Sequence, residues 1–245
     1  IVAGILSVWL NHTKNYEVKI NMRGFRPDMP VIGQIYKIGV PSIIMQAIGS
    51  VMTYGMNLIL ISFTFTATAV FGVYFKLQSF VFMPVFGLNN GVIPIIAYNY
   101  GAKKGVRVVQ AIKLSIFYVV SILIVGFLIF QIAPTPLLLM FDASETMLSI
   151  GVPALRTISI SFLVAGFCIA CGSVFQALGC SIYSMFVSVA RQLVVLLPAA
   201  YLLSRLGDVD YVWWAFPIAE LMSLAMTVFF MIKIYREIIS KIVHD

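Results

Sequence analysis

Charge is scarce in this chain of 245 residues: Asp, Glu, Lys and Arg together make up 10% of it, against about 25% in a soluble domain. That shortage excludes an ordinary water-facing globular surface. The scarcity is sharper for acidic residues, of which there are nine. Glu220 alone falls inside a long apolar run. The two histidines, His12 and His244, both lie outside such runs. H-E-x-x-H, G-x-S-x-G and a phosphate-cradling glycine loop are all missing, so neither a zinc hydrolase, a serine hydrolase nor an ATP-driven machine is expected. An enzyme is therefore not expected, nor is a bound metal or cofactor. A membrane-embedded acyltransferase would need a histidine or acid at the membrane surface, and Asp142 and Glu145 stand in a loop without a histidine beside them.

Cysteine is also sparse. Cys168, Cys171 and Cys180 do not make a disulfide framework. The C-x-x-C at Cys168 and Cys171 sits in an apolar helix with no second pair, which favours helix packing over redox or metal chemistry.

What the chain has instead is hydrophobic length: 61% of its residues are apolar and the mean hydropathy is +1.03. A hydrocarbon core about 30 Å thick is crossed by roughly 20 helical residues. Six runs meet that need, near 34–62, 68–98, 109–132, 151–178, 184–204 and 211–234. Only helices or closed barrels satisfy the backbone in lipid, and these runs are too long and uniformly apolar for barrel strands. The expected fold is therefore all-α: a polytopic six-helix membrane bundle. The first ten residues, IVAGILSVWL, read as the end of a preceding span, and the chain opens without Met. It is read as the C-terminal part of a longer protein. Residues 11–33 read as a basic cytoplasmic linker, 34–236 as the bundle and 237–245 as a cytoplasmic tail.

The formal charge of +7 would suggest nucleic acid in a soluble protein, but here it has a topological cause. Twelve of the sixteen cationic residues fall in the 11–37 segment, around Lys103–Lys113, or in the tail from Lys233. Cationic loops stay in the cytoplasm, so both ends of the bundle are placed there, in a cell inner (plasma) membrane. The lipid bilayer is the expected partner, and nucleic acid is not.

Several polar residues interrupt the spans. Gln46, Ser50, Thr53 and Asn57 recur at i, i+4, i+7 and i+11 and so share one helix face. They either line a cavity or bond neighbouring helices, the latter at about 0.6 kcal/mol per contact. Lys76 and Gln78 lie in the outer part of the second span; Lys76 either snorkels outward or joins an interior polar network, best with a carboxylate. Arg191 and Glu220 lie at similar depth in the last two spans. They form either an ion pair locking those helices or a site where Glu220 gains and loses a proton. Met52, Met56, Tyr74, Phe80 and Met83 offer a soft aromatic surface to organic cations, or simply pack. Pro84, Pro94, Pro198 and Pro217 are expected to kink their helices, and Gly87 with Gly91 makes the second span a bending element.

The motifs fall in an order that resembles a known family. Gly39-Val40-Pro41-Ser42 leading to Gln46, then Pro84-x-x-Gly87-Leu88-x-x-Gly91-x-x-Pro94 and Tyr98-Asn99-Tyr100-Gly101-Ala102-Lys103, are similar to helices seven and eight of the multidrug and toxic compound extrusion (MATE) family. Phe175-Gln176-Ala177-Leu178-Gly179, Arg191-Gln192 and Trp214-Ala215-x-Pro217-Ile218-x-Glu220 resemble its helices ten to twelve. The resemblance implies the second lobe of a twelve-helix transporter, closest to the bacterial DinF- and MepA-like branch. It implies export of small organic cations by antiport with H+ or Na+, through a cavity shared with the N-terminal lobe. On that reading Gln46, Ser50, Thr53, Asn57, Tyr74, Gln78 and Met83 are candidates for the cavity, and Lys76, Arg191 and Glu220 for ion coupling. One departure stands out: spans 34–62 and 151–178 carry no Asp or Glu, so the acidic cation site of the NorM-like branch is not matched. The alternative is a flippase for lipid-linked oligosaccharides, which would be expected to line its cavity with more cationic residues; Lys76, Arg156 and Arg191 are few but not negligible.

Overall fold

A computed structural model describes residues 2–14 and 26–241 of the chain. The basic residues Lys19 and Arg23, and residues 242–245 of the tail with His244, lie outside the described residues. The chain divides into two compact units, Ile1–Lys37 and Ile38–Asp245.

All regular structure among the described residues is helical. Helix α1 covers Val2–Lys14, α2 Met29–Ile61, α3 Phe65–Gly101 and α4 Gly105–Ile132. A short α5, Pro134–Leu139, precedes α6, Glu145–Ser159, and α7, Phe162–Ala177. Then come α8, Ser181–Val189, a π-helical segment over Ala190–Leu196, and α9, Leu197–Ser204. The fold ends with α10, Val209–Val212, α11, Ala215–Ile234, and a second π-helical segment, Tyr235–Ile239. Helix ends therefore reach into the stretch read as linker: α1 continues to Lys14 and α2 begins at Met29, one residue before Pro30. Proline in the first turn forfeits no hydrogen bond, so the helix opens there at no cost.

Five helical stretches are long and apolar enough to span a membrane, and α6 with α7 makes a sixth if the pair is one crossing. That pair is bent by 49° at Ile160–Ser161. No proline sits at the bend. The Ser159 and Ser161 hydroxyls instead donate to the carbonyls of Arg156 and Ile158, at 3.0 and 2.6 Å. The backbone tightens to i→i−3 bonds at Ile160 and Ser161. Serine hydroxyls that compete for backbone carbonyls bend helices in this way.

The expected proline kinks are redistributed. Helix α3 runs unbroken through Pro84 and Pro94, and Pro217 sits in the first turn of α11, where its missing N–H costs little. Pro198 has the larger effect. It has no N–H to offer the Val194 carbonyl in α-helical register, and the π-helical segment lies immediately before it.

The core of the larger unit is built by α3, α4, α6, α7 and α11 around Phe71, Tyr74, Phe130, Phe162 and Trp213, all almost fully buried. Helices α4 and α7 approach closely because Gly166 has no side chain: a Cβ there would stand 3.1 Å from the Val120 Cα. Large apolar residues such as Phe117, Val125 and Ile132 on α4 point outward. That surface suits a hydrocarbon solvent and would aggregate in water.

Candidate functional site

Helix α2 presents two contrasting faces. Ile48, Met52, Met56 and Leu60, four residues apart, are buried against the core. The polar stripe lies on the other side. Gln46, Gly49, Ser50, Thr53, Tyr54 and Asn57 line an open groove of about 500 Å³. Thr53 spends its hydroxyl proton within the helix, donating to the Gly49 carbonyl at 2.9 Å. Gln46 and Ser50 are exposed. The four predicted stripe residues thus do share one surface, and no charged side chain lines it. A polar stripe in a membrane helix is costly against lipid, so this face belongs to water or to another protein surface.

The groove also holds residues that the spacing argument missed. Tyr54 is 67% exposed on its wall, four residues beyond Ser50 and so on the stripe's own period. Gly49 forms part of the wall, and a Cβ there would be in ordinary contact with Gln192 Oε1, at 3.8 Å. Gln192 itself is buried.

Other cavity candidates are placed differently. Tyr74 is buried in an aromatic cluster with Phe71, Phe75, Phe130 and Phe216, at centroid separations of 5.7–6.4 Å. It is a core residue and cannot line an open cavity. Met52 and Met56 are core residues for the same reason. Met83 and Phe80 are exposed, at 68% and 74%, and Gln78 is half-buried; none of the three lines the groove.

Lys76 does not join an interior network. Its side chain is exposed, and its ammonium stands 5.7 Å from the centroid of the Phe141 ring. A cation over an aromatic face retains hydration and needs no carboxylate partner. Arg156 is also exposed, and its carbonyl accepts a hydrogen bond from Gln131 Nε2 at 2.8 Å.

Arg191 and Glu220 do meet. Arg191 Nη1 donates to Glu220 Oε2 at 3.1 Å, the one ion pair among the described residues. The carboxylate side chain is 6% exposed and the guanidinium side chain 33%. The π-helical segment carries the arginine and α11 the glutamate, so the pair ties the last two spans together. The contact is through one nitrogen, and Glu220 Oε1 is buried without a hydrogen-bond partner. Cys168 on α7 lies beside this pair.

Comparison with known proteins places this geometry. Residues 41–202 match the MatE family. The chain is 25% identical over 228 residues to the multidrug export protein MepA of Staphylococcus haemolyticus (strain JCSC1435), covering 93% of this chain and 50% of the relative. It is 26% identical to MepA of Staphylococcus aureus (strain bovine RF122 / ET3-1), over 89% of this chain and 48% of the relative. The chain thus spans about half the length of the curated relatives it matches. Among solved structures, a MATE in complex with MaL6 superposes with a TM-score of 0.86 at 20% identity, over 100% of this chain and 55% of that one. A MOP superfamily transporter from Pyrococcus furiosus Vc1 (DSM3638) superposes with a TM-score of 0.83 at 21% identity, over 98% and 54%. The all-helical bundle is therefore a MATE transporter fold, and with a family match across 41–202 the chain belongs to the MatE family.

Proposed function

We propose that this chain is the C-terminal lobe of a secondary active exporter that moves organic cations out of the cell in exchange for H+ or Na+. The observation that carries this reading is the uncharged polar groove on α2, set in an otherwise apolar surface. In the complete transporter that groove forms one wall of a substrate cavity, and an N-terminal lobe of the same protein forms the other. Relative movement of the lobes opens the cavity to alternate sides of the plasma membrane. The basic loops put both ends of this lobe in the cytoplasm. The multidrug export named for MepA supports an export role.

Groove chemistry disfavours the flippase alternative. A pyrophosphate needs cationic donors, and Gln46, Ser50, Thr53 and Asn57 are neutral, while Lys76 is engaged with Phe141. Ion coupling in this lobe is assigned to Arg191 and Glu220, which hold opposite charges at membrane depth.

The test is transport by the full-length protein in proteoliposomes. A proton gradient and a sodium gradient are imposed separately while uptake of a fluorescent organic cation is followed. Uptake driven by either gradient supports the antiporter and identifies the ion. Uptake with neither, in folded protein, overturns it.

A further inference from the structure

Helix α4 carries a second groove, of about 420 Å³, lined by Lys113, Ile116, Phe117, Val120, Ser121 and Ile124. These positions recur at helical spacing and form one strip along the helix. Phe117 and Ile124 are 65% and 40% exposed. The Ser121 hydroxyl already donates to the Phe117 carbonyl at 2.7 Å. Beyond Lys113 the groove therefore presents hydrocarbon and no free hydroxyl proton.

Lys113 stands exposed at one end of the strip. It makes no ion pair among the described residues, where the one pair is Arg191 with Glu220. Two other lysines on apolar helices rest over aromatic rings, Lys76 over Phe141 at 5.7 Å and Lys233 over Tyr183 at 5.5 Å. Lys113 has no such ring among the described residues. An ammonium beside apolar side chains near a membrane surface attracts an anion. The length of the strip narrows the occupant further. Eleven helical steps separate Lys113 from Ile124, a rise of about 16 Å. One leaflet is half of a hydrocarbon core about 30 Å thick. The groove thus has one cation at its head and apolar side chains over one leaflet's depth.

We propose that this groove binds one anionic phospholipid, its phosphate paired with Lys113 and one acyl chain laid along Ile116, Phe117, Val120 and Ile124. A zwitterionic headgroup holds its own cation beside the phosphate, so Lys113 favours a lipid of net negative charge. The same lysine repels an organic cation, so this groove is no second route for exported compounds. Lys103, Lys104 and Arg107, exposed at the same end of α4, gather anionic lipid at the surface without lining the groove. On the orientation given by the basic loops, the bound lipid belongs to the cytoplasmic leaflet. Val120 also closes on Gly166 of α7, where a Cβ would stand 3.1 Å from the Val120 Cα, so a chain in the groove buttresses the contact of α4 with α7. The proposal is independent of the transport reading, because lipid binding is measured without substrate.

The experiment places a tryptophan reporter in the groove, F117W, in purified full-length protein reconstituted in vesicles. Its quenching by brominated phosphatidylglycerol and by brominated phosphatidylcholine is read, with the signal of the protein lacking the reporter subtracted. Phosphatidylglycerol is expected to bind about fivefold more tightly at this reporter, the factor for one lysine near the surface. K113Q/F117W is expected to bring the ratio to about one. K104Q/F117W removes the same charge outside the groove and is expected to leave the ratio unchanged. L128W, at an exposed position of α4 beyond the groove, is expected to show no preference. Equal quenching by the two lipids in F117W would overturn the proposal. So would an equal loss of preference in K113Q and K104Q, or the same preference in L128W as in F117W, since either would assign the effect to surface charge alone.

Discussion

Arg191 Nη1 lies 3.1 Å from Glu220 Oε2, joining a π-helical turn to the last long helix at a depth where isolated charge is costly. Removing one partner leaves the other charge without compensation. R191M and E220M alone are expected to lower stability by about 3–5 kcal/mol, and the double variant R191M/E220M to recover most of the loss. Detergent-solubilised unfolding curves for the four proteins of the cycle check this. Equal, additive losses would mean that the two charges act independently.

Tyr54 offers an exposed ring on the wall of a groove with no acidic residue. The ring face is the feature of that wall that attracts a cation. Y54A is expected to weaken binding of an aromatic organic cation by about 1 kcal/mol, roughly fivefold, and Y54F to leave it near wild type. Fluorescence titration of purified full-length protein separates the two. Equal losses in Y54A and Y54F would assign the contribution to the hydroxyl instead.

Lys76 should be dispensable to the fold. Its ammonium rests over Phe141, an interaction worth about 0.5–1 kcal/mol at an exposed site. K76M is expected to shift the melting temperature only slightly, in contrast to E220M. A collapse comparable with that of E220M would show that Lys76 neutralises a buried carboxylate after all.

Gly166 is favoured by its lack of a side chain, since a Cβ there would stand only 3.1 Å from the Val120 Cα. G166V is expected to cost about 1–3 kcal/mol by forcing α4 and α7 apart. At Gly91 no atom lies within 4 Å of a would-be Cβ. G91A is therefore expected to be tolerated, with a gain of about 0.5–1 kcal/mol from reduced backbone entropy. Thermal unfolding of the two variants gives the comparison.

Much of this was legible in the residues themselves. Long apolar runs announce spans because lipid leaves the backbone no other way to bond. The four-residue stripe from Gln46 to Asn57 was legible because a single helix fixes its geometry. The Arg191–Glu220 pair was legible because a membrane permits so few charges that they find each other. Tyr74 was misplaced because an aromatic residue in a membrane helix carries no mark of which face it is on; here packing with Phe71 and Phe216 buries it. For Lys76 the residues left two readings open, because only the fold shows that its side chain is exposed beside the Phe141 ring of a distant loop. The bend at Ile160–Ser161 escaped because serine hydroxyls, not proline, break the ladder there.

The most direct test of the central claim is the equilibrium affinity of purified full-length protein for a fluorescent organic cation, wild type against Q46A/N57A. If the α2 groove is a wall of the substrate cavity, the double variant binds about tenfold more weakly, a loss of about 1.4 kcal/mol, with an unchanged melting temperature. Equal affinity in the two proteins would contradict the account and return the stripe to helix packing.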